Sequence, residues 1–135
     1  MFTYSPVIKK WDYQEVSVDG HAEGNPFIER DIRGVFSGEH ETVTADGFYD
    51  GEGIYRVRFM PSFTGTYEFT VSGTGIDESV MGTFKVEEPG EGNHGPVHVR
   101  DTFHFAYDDG TAYYPAGTTC YVWQLQSDEL QEKTL

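Results

Sequence analysis

Between residues 54 and 86 the side chains alternate between apolar and polar, and this two-residue period constrains the fold more than any other feature. In "IYRVRFM" Tyr55, Val57 and Phe59 fall on one side and Arg56 and Arg58 on the other. "TYEFTVS" sets Tyr67, Phe69 and Val71 against Glu68 and Thr70, and "GTFKVEE" sets Phe84 and Val86 against Lys85. Successive side chains of a strand point to opposite faces, so each stretch predicts a strand with one buried and one wet face. Antiparallel sheets accommodate such strands, whereas parallel sheets covered by helices want apolar residues on both faces. Trp11 and Tyr13 share one phase and Val16 and Val18 the other, which predicts a bulge or bend near Gln14. Ile32, Val35, Phe36 and Val43 complete two weaker strands.

Turn chemistry punctuates these runs at Asp19-Gly20, Ser37-Gly38, Asp46-Gly47, Asp50-Gly51, Thr64-Gly65 and Asp109-Gly110. About seven short strands so spaced predict an immunoglobulin-like antiparallel β-sandwich over residues 1–98. The Gly- and Pro-rich "EEPGEGNHGP" at 87–96 predicts a linker or long connection. Beyond it the pattern changes. "HFAYDDGTAYYPAG" predicts a hairpin turning at Asp109-Gly110, with Phe103, Phe105 and Tyr107 alternating against His104 and Ala106. "GTTCYVW" at 117–123 predicts a strand buried on both faces. "SDELQEKTL" then predicts a helix start, with Ser127 or Asp128 capping, acids in the first turn and Glu129 four residues before Lys133. A helix that short holds only if it packs on something. A strand feeding a helix is the opening step of a parallel domain, so 99–135 is expected to begin a second domain whose remainder lies elsewhere.

With 37% hydrophobic and 16% aromatic residues among 135, the chain can bury a core. A formal net charge of -14 with only nine Lys and Arg argues against a nucleic acid or an anionic membrane as partner. The one cysteine, Cys120, excludes an intrachain disulfide and fits a reducing compartment. "MFTYSPVIKKW" has no apolar signal-peptide core and no stretch has the length of a membrane span, so a cytoplasmic location is expected.

Chemistry-bearing residues are sparse. Cys120 carries no local signature of a nucleophile and suits a small buried thiol. His21, His40, His94, His98 and His104 show no metal-binding spacing, and neither a metal nor another cofactor is expected. Asp46, Asp50 and Glu52 do not follow a calcium-loop pattern, and Asp-Gly turns account for two of them. Trp11, Tyr13 and Tyr49 are candidates for a sugar-stacking row.

At "FYDGEGIYRVRFMPSFTGTYEF" (48–69), "GNHGPVHV" (92–99) and "EGNPF" (23–27) the chain resembles a bacterial family. It is that of the N-terminal β-sandwich domains of unknown function that precede TIM-barrel proteins classed as glycoside hydrolases, the apiosidase-like group. "FHFAYDDGTAYYPAGTTCYVW" (103–123) resembles that family's entry into its barrel, a basal hairpin followed by barrel strand one. The resemblance implies that 1–98 is an accessory sandwich and 99–135 the hairpin and first βα unit of a truncated barrel. Glycosidic cleavage uses two carboxyl groups set at strand ends of such a barrel, and strand one carries none here. The chain is therefore expected to catalyse nothing itself and to pack on and support its own downstream barrel. Tyr121, Trp123 and Gln124, at the end of strand one, become substrate contacts only in the complete enzyme. The alternative is a carbohydrate-binding module for plant polysaccharide. A strand stripped of its barrel neighbours is also expected to fold back, swap between chains or pair in a homodimer.

Overall fold

The computed structural model describes residues 1–117, 119 and 122–134. They form two compact units, Met1–Pro96 and Val97–Leu135.

The first unit is a β-sandwich. Its elements are β1 (Phe2–Thr3), β2 (Val7–Lys9), β3 (Gln14–Asp19), α1 (Pro26–Glu29), β4 (Arg33–Ser37) and β5 (Thr42–Asp46). They continue with β6 (Phe48–Gly51), β7 (Ile54–Phe59), β8 (Gly65–Ser72) and β9 (Val80–Glu87). One sheet has the order β1-β3-β7-β6 and the other β2-β9-β8-β4-β5. Every ladder is antiparallel except that of β2 with β9.

The alternating stretches place their residues as their period dictates. Tyr55, Val57, Phe59, Tyr67, Phe69, Val71, Phe84 and Val86 are all buried and share one core with Val16, Val18, Ile32, Phe36 and Ile76. Phe36 bridges the sheets, its ring stacked on that of Phe59 at 4.6 Å.

The flanks of the sandwich are built alike. β1 lies in one sheet and β2 in the other, and β5 and β6 divide in the same way at the opposite flank. Each flank is thus one continuous segment that crosses between layers, which covers edges that would otherwise offer unpaired backbone. Asp46-Gly47, expected as a turn, is such a crossing. The Gly47 N–H donates to the Ile32 carbonyl at 2.8 Å, and a Cβ there would stand 2.6 Å from the Arg56 carbonyl oxygen. The other crossing is held by Gln14, fully buried, whose amide accepts from the Ser5 N–H at 3.1 Å and donates to its carbonyl at 2.7 Å. The bend expected at Gln14 falls at Trp11, which has φ +67°, and β3 starts with Gln14 already facing inward.

The segment before the second unit is fastened to the sandwich. Lys10 N–H donates to the Glu87 carbonyl, and the Asn93 side chain donates to Asp12 at 3.2 Å while accepting from Gly95 N–H.

The second unit holds a three-stranded antiparallel sheet of β10 (Val97–Arg100), β11 (His104–Tyr107) and β12 (Ala112–Tyr113), in that order. The expected hairpin is present between β11 and β12, with Gly110 at φ +88° in its turn. The alternation in β11 is inverted relative to expectation: Ala106 is buried while Phe105 is 43% exposed. The strand expected at 117–123 is described only in part. Thr118, Cys120 and Tyr121 lie outside the described residues. Val122 is left-handed at φ +50°, and Trp123–Leu125 is a turn of 3-10 helix. Helix α2 (Asp128–Thr134) follows, with Lys133 donating to Glu129 at 2.7 Å.

Candidate functional site

Two surfaces stand out, one on each unit. The first is the outer face of the β1-β3-β7-β6 sheet, where the polar residues of the alternating strands converge. Register sets Glu15 opposite Arg58 and Ser17 opposite Arg56 on β3 and β7. Glu15 accepts from Arg58 Nε at 2.7 Å and from Arg56 Nη1. Arg56 also donates to Ser17 Oγ at 3.1 Å and, through Nε, to Asp50 at 2.5 Å. Arg58 lies between two rings, 5.6 Å from that of Tyr13 and 5.1 Å from that of Phe48. Beside this network lies a groove of about 470 Å³, with Thr3, Tyr13, Glu15, Ser17 and Arg56 among its lining.

The second surface is an apolar groove of about 450 Å³ on the second unit, lined by Phe103, Phe105, Tyr113 and Tyr114 with Arg100 and His104. Phe103 and Tyr114 are each 86% exposed. The adjoining turn holds Asp101 at φ +49° and Thr102 at φ +70°, two successive left-handed residues that are not glycine.

Residues 7–74, half of the sequence, match the family described as "Domain of unknown function (DUF5060)". The chain belongs to the DUF5060 family. No curated protein matches it. A solved structure, described as "a putative glycoside hydrolase from Bacteroides vulgatus ATCC 8482", is similar at 38% identity with a TM-score of 0.84. That likeness covers 96% of the DUF5060 chain but only 25% of the Bacteroides protein, so the chain spans a quarter of its relative's length.

The substrate contacts expected for a complete enzyme are described only in part in the DUF5060 chain. Tyr121 lies outside the described residues, as does Cys120. Trp123 is half-buried and donates its indole N–H to the Gln131 carbonyl at 3.3 Å, and Gln124 is exposed. The expected aromatic row does not form. Trp11 is half-buried, and Tyr49 is packed edge-on between Phe27 and Tyr55 while its hydroxyl accepts from Gly53 N–H. Tyr13 alone of the three is exposed. Asp46 pairs with Arg33 and Asp50 with Arg56, and among the described residues no cluster could hold a metal. His21 sits between Asp77 at 3.1 Å and Glu23 at 3.7 Å, on opposite ring nitrogens, a geometry that cannot converge on one ion. The tyrosine groove went unnoticed in the sequence. Its one signal was the Arg56 and Arg58 pair on a single strand face.

Burial alone would raise the Glu15 carboxyl, but hydrogen bonds from Arg58 and Arg56, reinforced by their charges, hold it below the ordinary glutamate value of 4.5. A depressed folded value means stability that is present above the unfolded value and lost as pH falls through the folded one. The urea midpoint of the DUF5060 chain should therefore fall more steeply on acidification below about pH 5 than that of Glu15→Gln. Parallel curves would show that the two arginines do not stabilise the ionised carboxylate.

Proposed function

We propose that the chain is a non-catalytic accessory domain of a larger glycoside-hydrolase protein, and that the barrel following it packs on the apolar face of the second unit. The carrying observation is the mismatch between that unit's composition and its burial. Phe103, Tyr114, Leu125 and Val99 are 86%, 86%, 83% and 63% exposed, while among its described residues only Ala106 is a buried apolar one. A sheet of ten strand residues cannot maintain a separate core, and the apolar groove of Phe103, Phe105, Tyr113 and Tyr114 marks a place where another protein surface sits. The likeness to one quarter of a longer glycoside-hydrolase-class chain supports the same partner. The motifs at 48–69 and 92–99 favour the apiosidase-like group as the finer assignment.

The test joins the chain to the polypeptide that follows the matching quarter of the Bacteroides vulgatus protein. In the chain alone, amides of β10 to β12 should exchange quickly, and a dye that reports apolar surface should bind. In the fusion the exchange should slow by at least about tenfold and the dye signal should collapse. Equal exchange in both would sink the proposal, and so would slow exchange of β10 to β12 in the chain alone.

A further inference from the structure

We infer that the groove on the outer face of the β1-β3-β7-β6 sheet binds a neutral carbohydrate. This rests on the first unit alone and is independent of what covers the second. A volume of about 470 Å³ lies within the range of small-ligand sites and holds a sugar of one or two rings. Its lining carries the hydroxyls of Thr3, Ser17 and Tyr13, the last on an aromatic ring. A pyranose presents that same mixture, an apolar ring face edged by hydroxyls that both donate and accept.

The polar floor is set in advance. A carboxylate has about four acceptor positions, and the two arginines occupy only part of Glu15. The remaining lone pairs can take two O–H donors from neighbouring sugar hydroxyls. Ser17 Oγ accepts from Arg56 and so keeps its own proton free to donate outward. Because Arg56 is held by Glu15, Ser17 and Asp50 together, it loses little freedom when a ligand arrives. One wall is fixed too: the Tyr13 ring lies against Arg58.

Charge narrows the ligand class. Glu15 and Asp50 balance Arg56 and Arg58, so the site is locally neutral. It belongs to a chain of net charge -14, whose field repels uronates, sulfated sugars and phosphates.

Amide chemical shifts of the isotope-labelled chain, titrated with neutral tetrasaccharides of β-glucose, β-mannose, β-xylose and α-arabinose, provide the test. Tetragalacturonate serves as the anionic control. At least one neutral tetrasaccharide should give saturable shifts confined to residues 3–5, 13–17 and 56, with the control giving none. Tyr13→Ala and Ser17→Ala should each weaken that binding by about fivefold to tenfold. Both replace accessible groups, and an unchanged urea midpoint confirms that the fold survives. The inference is overturned by silence of those amides at about 10 mM of every neutral probe. It is equally overturned by control binding of equal strength, or by Tyr13→Ala and Ser17→Ala variants that bind as well as the parent.

Discussion

Replacing Phe36 by alanine should lower the unfolding free energy of the sandwich by about 3–5 kcal/mol. The ring has no exposed surface and packs on both layers at once. It stacks on Phe59 of the first sheet at 4.6 Å and lies 6.0 Å and 6.4 Å from Phe69 and Phe84 of its own. Neighbours held by two separate ladders cannot both relax into the space left behind, so most of the cavity cost persists. Domains of this size are stable by only about 5–15 kcal/mol, so the loss is a large share of the total. Urea unfolding followed by tyrosine fluorescence measures it. A loss under about 1 kcal/mol would mean that Phe36 is peripheral to the core.

Gln14→Ala should cost about 2–4 kcal/mol, by a different route. Gln14 is the fully buried polar side chain among the described residues, and both ends of its amide are spent on Ser5. Truncation leaves a void and takes from the Ser5 N–H and carbonyl the partners that hold the crossing from β1 to β2. Gln14→Met separates the two effects, because it refills the space without restoring the hydrogen bonds. Both variants should speed amide exchange in β1 and β2 more than in β7 and β8. Uniform acceleration would show that Gln14 fills volume and does not act as a tether.

The sandwich strands were legible because a two-residue period reports directly which face of a strand is buried, and at Tyr55, Tyr67 and Phe84 that face meets a second sheet. The same period misled at β11. Phe105 is more apolar than Ala106, yet burial depends on what lies over a face, and the alternation carries no information about that. Asp46-Gly47 illustrates a second ambiguity. Glycine serves both a reversing turn and a close passage of backbone, and only the position of the Arg56 carbonyl tells them apart. The tyrosine groove was hidden for a third reason. Thr3, Glu15 and Arg56 come from separate segments and meet only through the β1-β3-β7 ladders. No local spacing records such a meeting, whereas the expectations drawn from local spacing, such as the row of Trp11, Tyr13 and Tyr49, dissolve when each ring finds its own neighbour.

The parallel pairing of β2 with β9 has a consequence for how the molecule comes into being. Ile8 lies opposite Val86, so a strand near the start of the sandwich waits for one nearly at its far end. Until residue 87 has been synthesised, the opening nine residues have only half of their final surroundings. The domain is closed by its beginning, and every interruption of translation before that point leaves the flank at β1 and β2 undone.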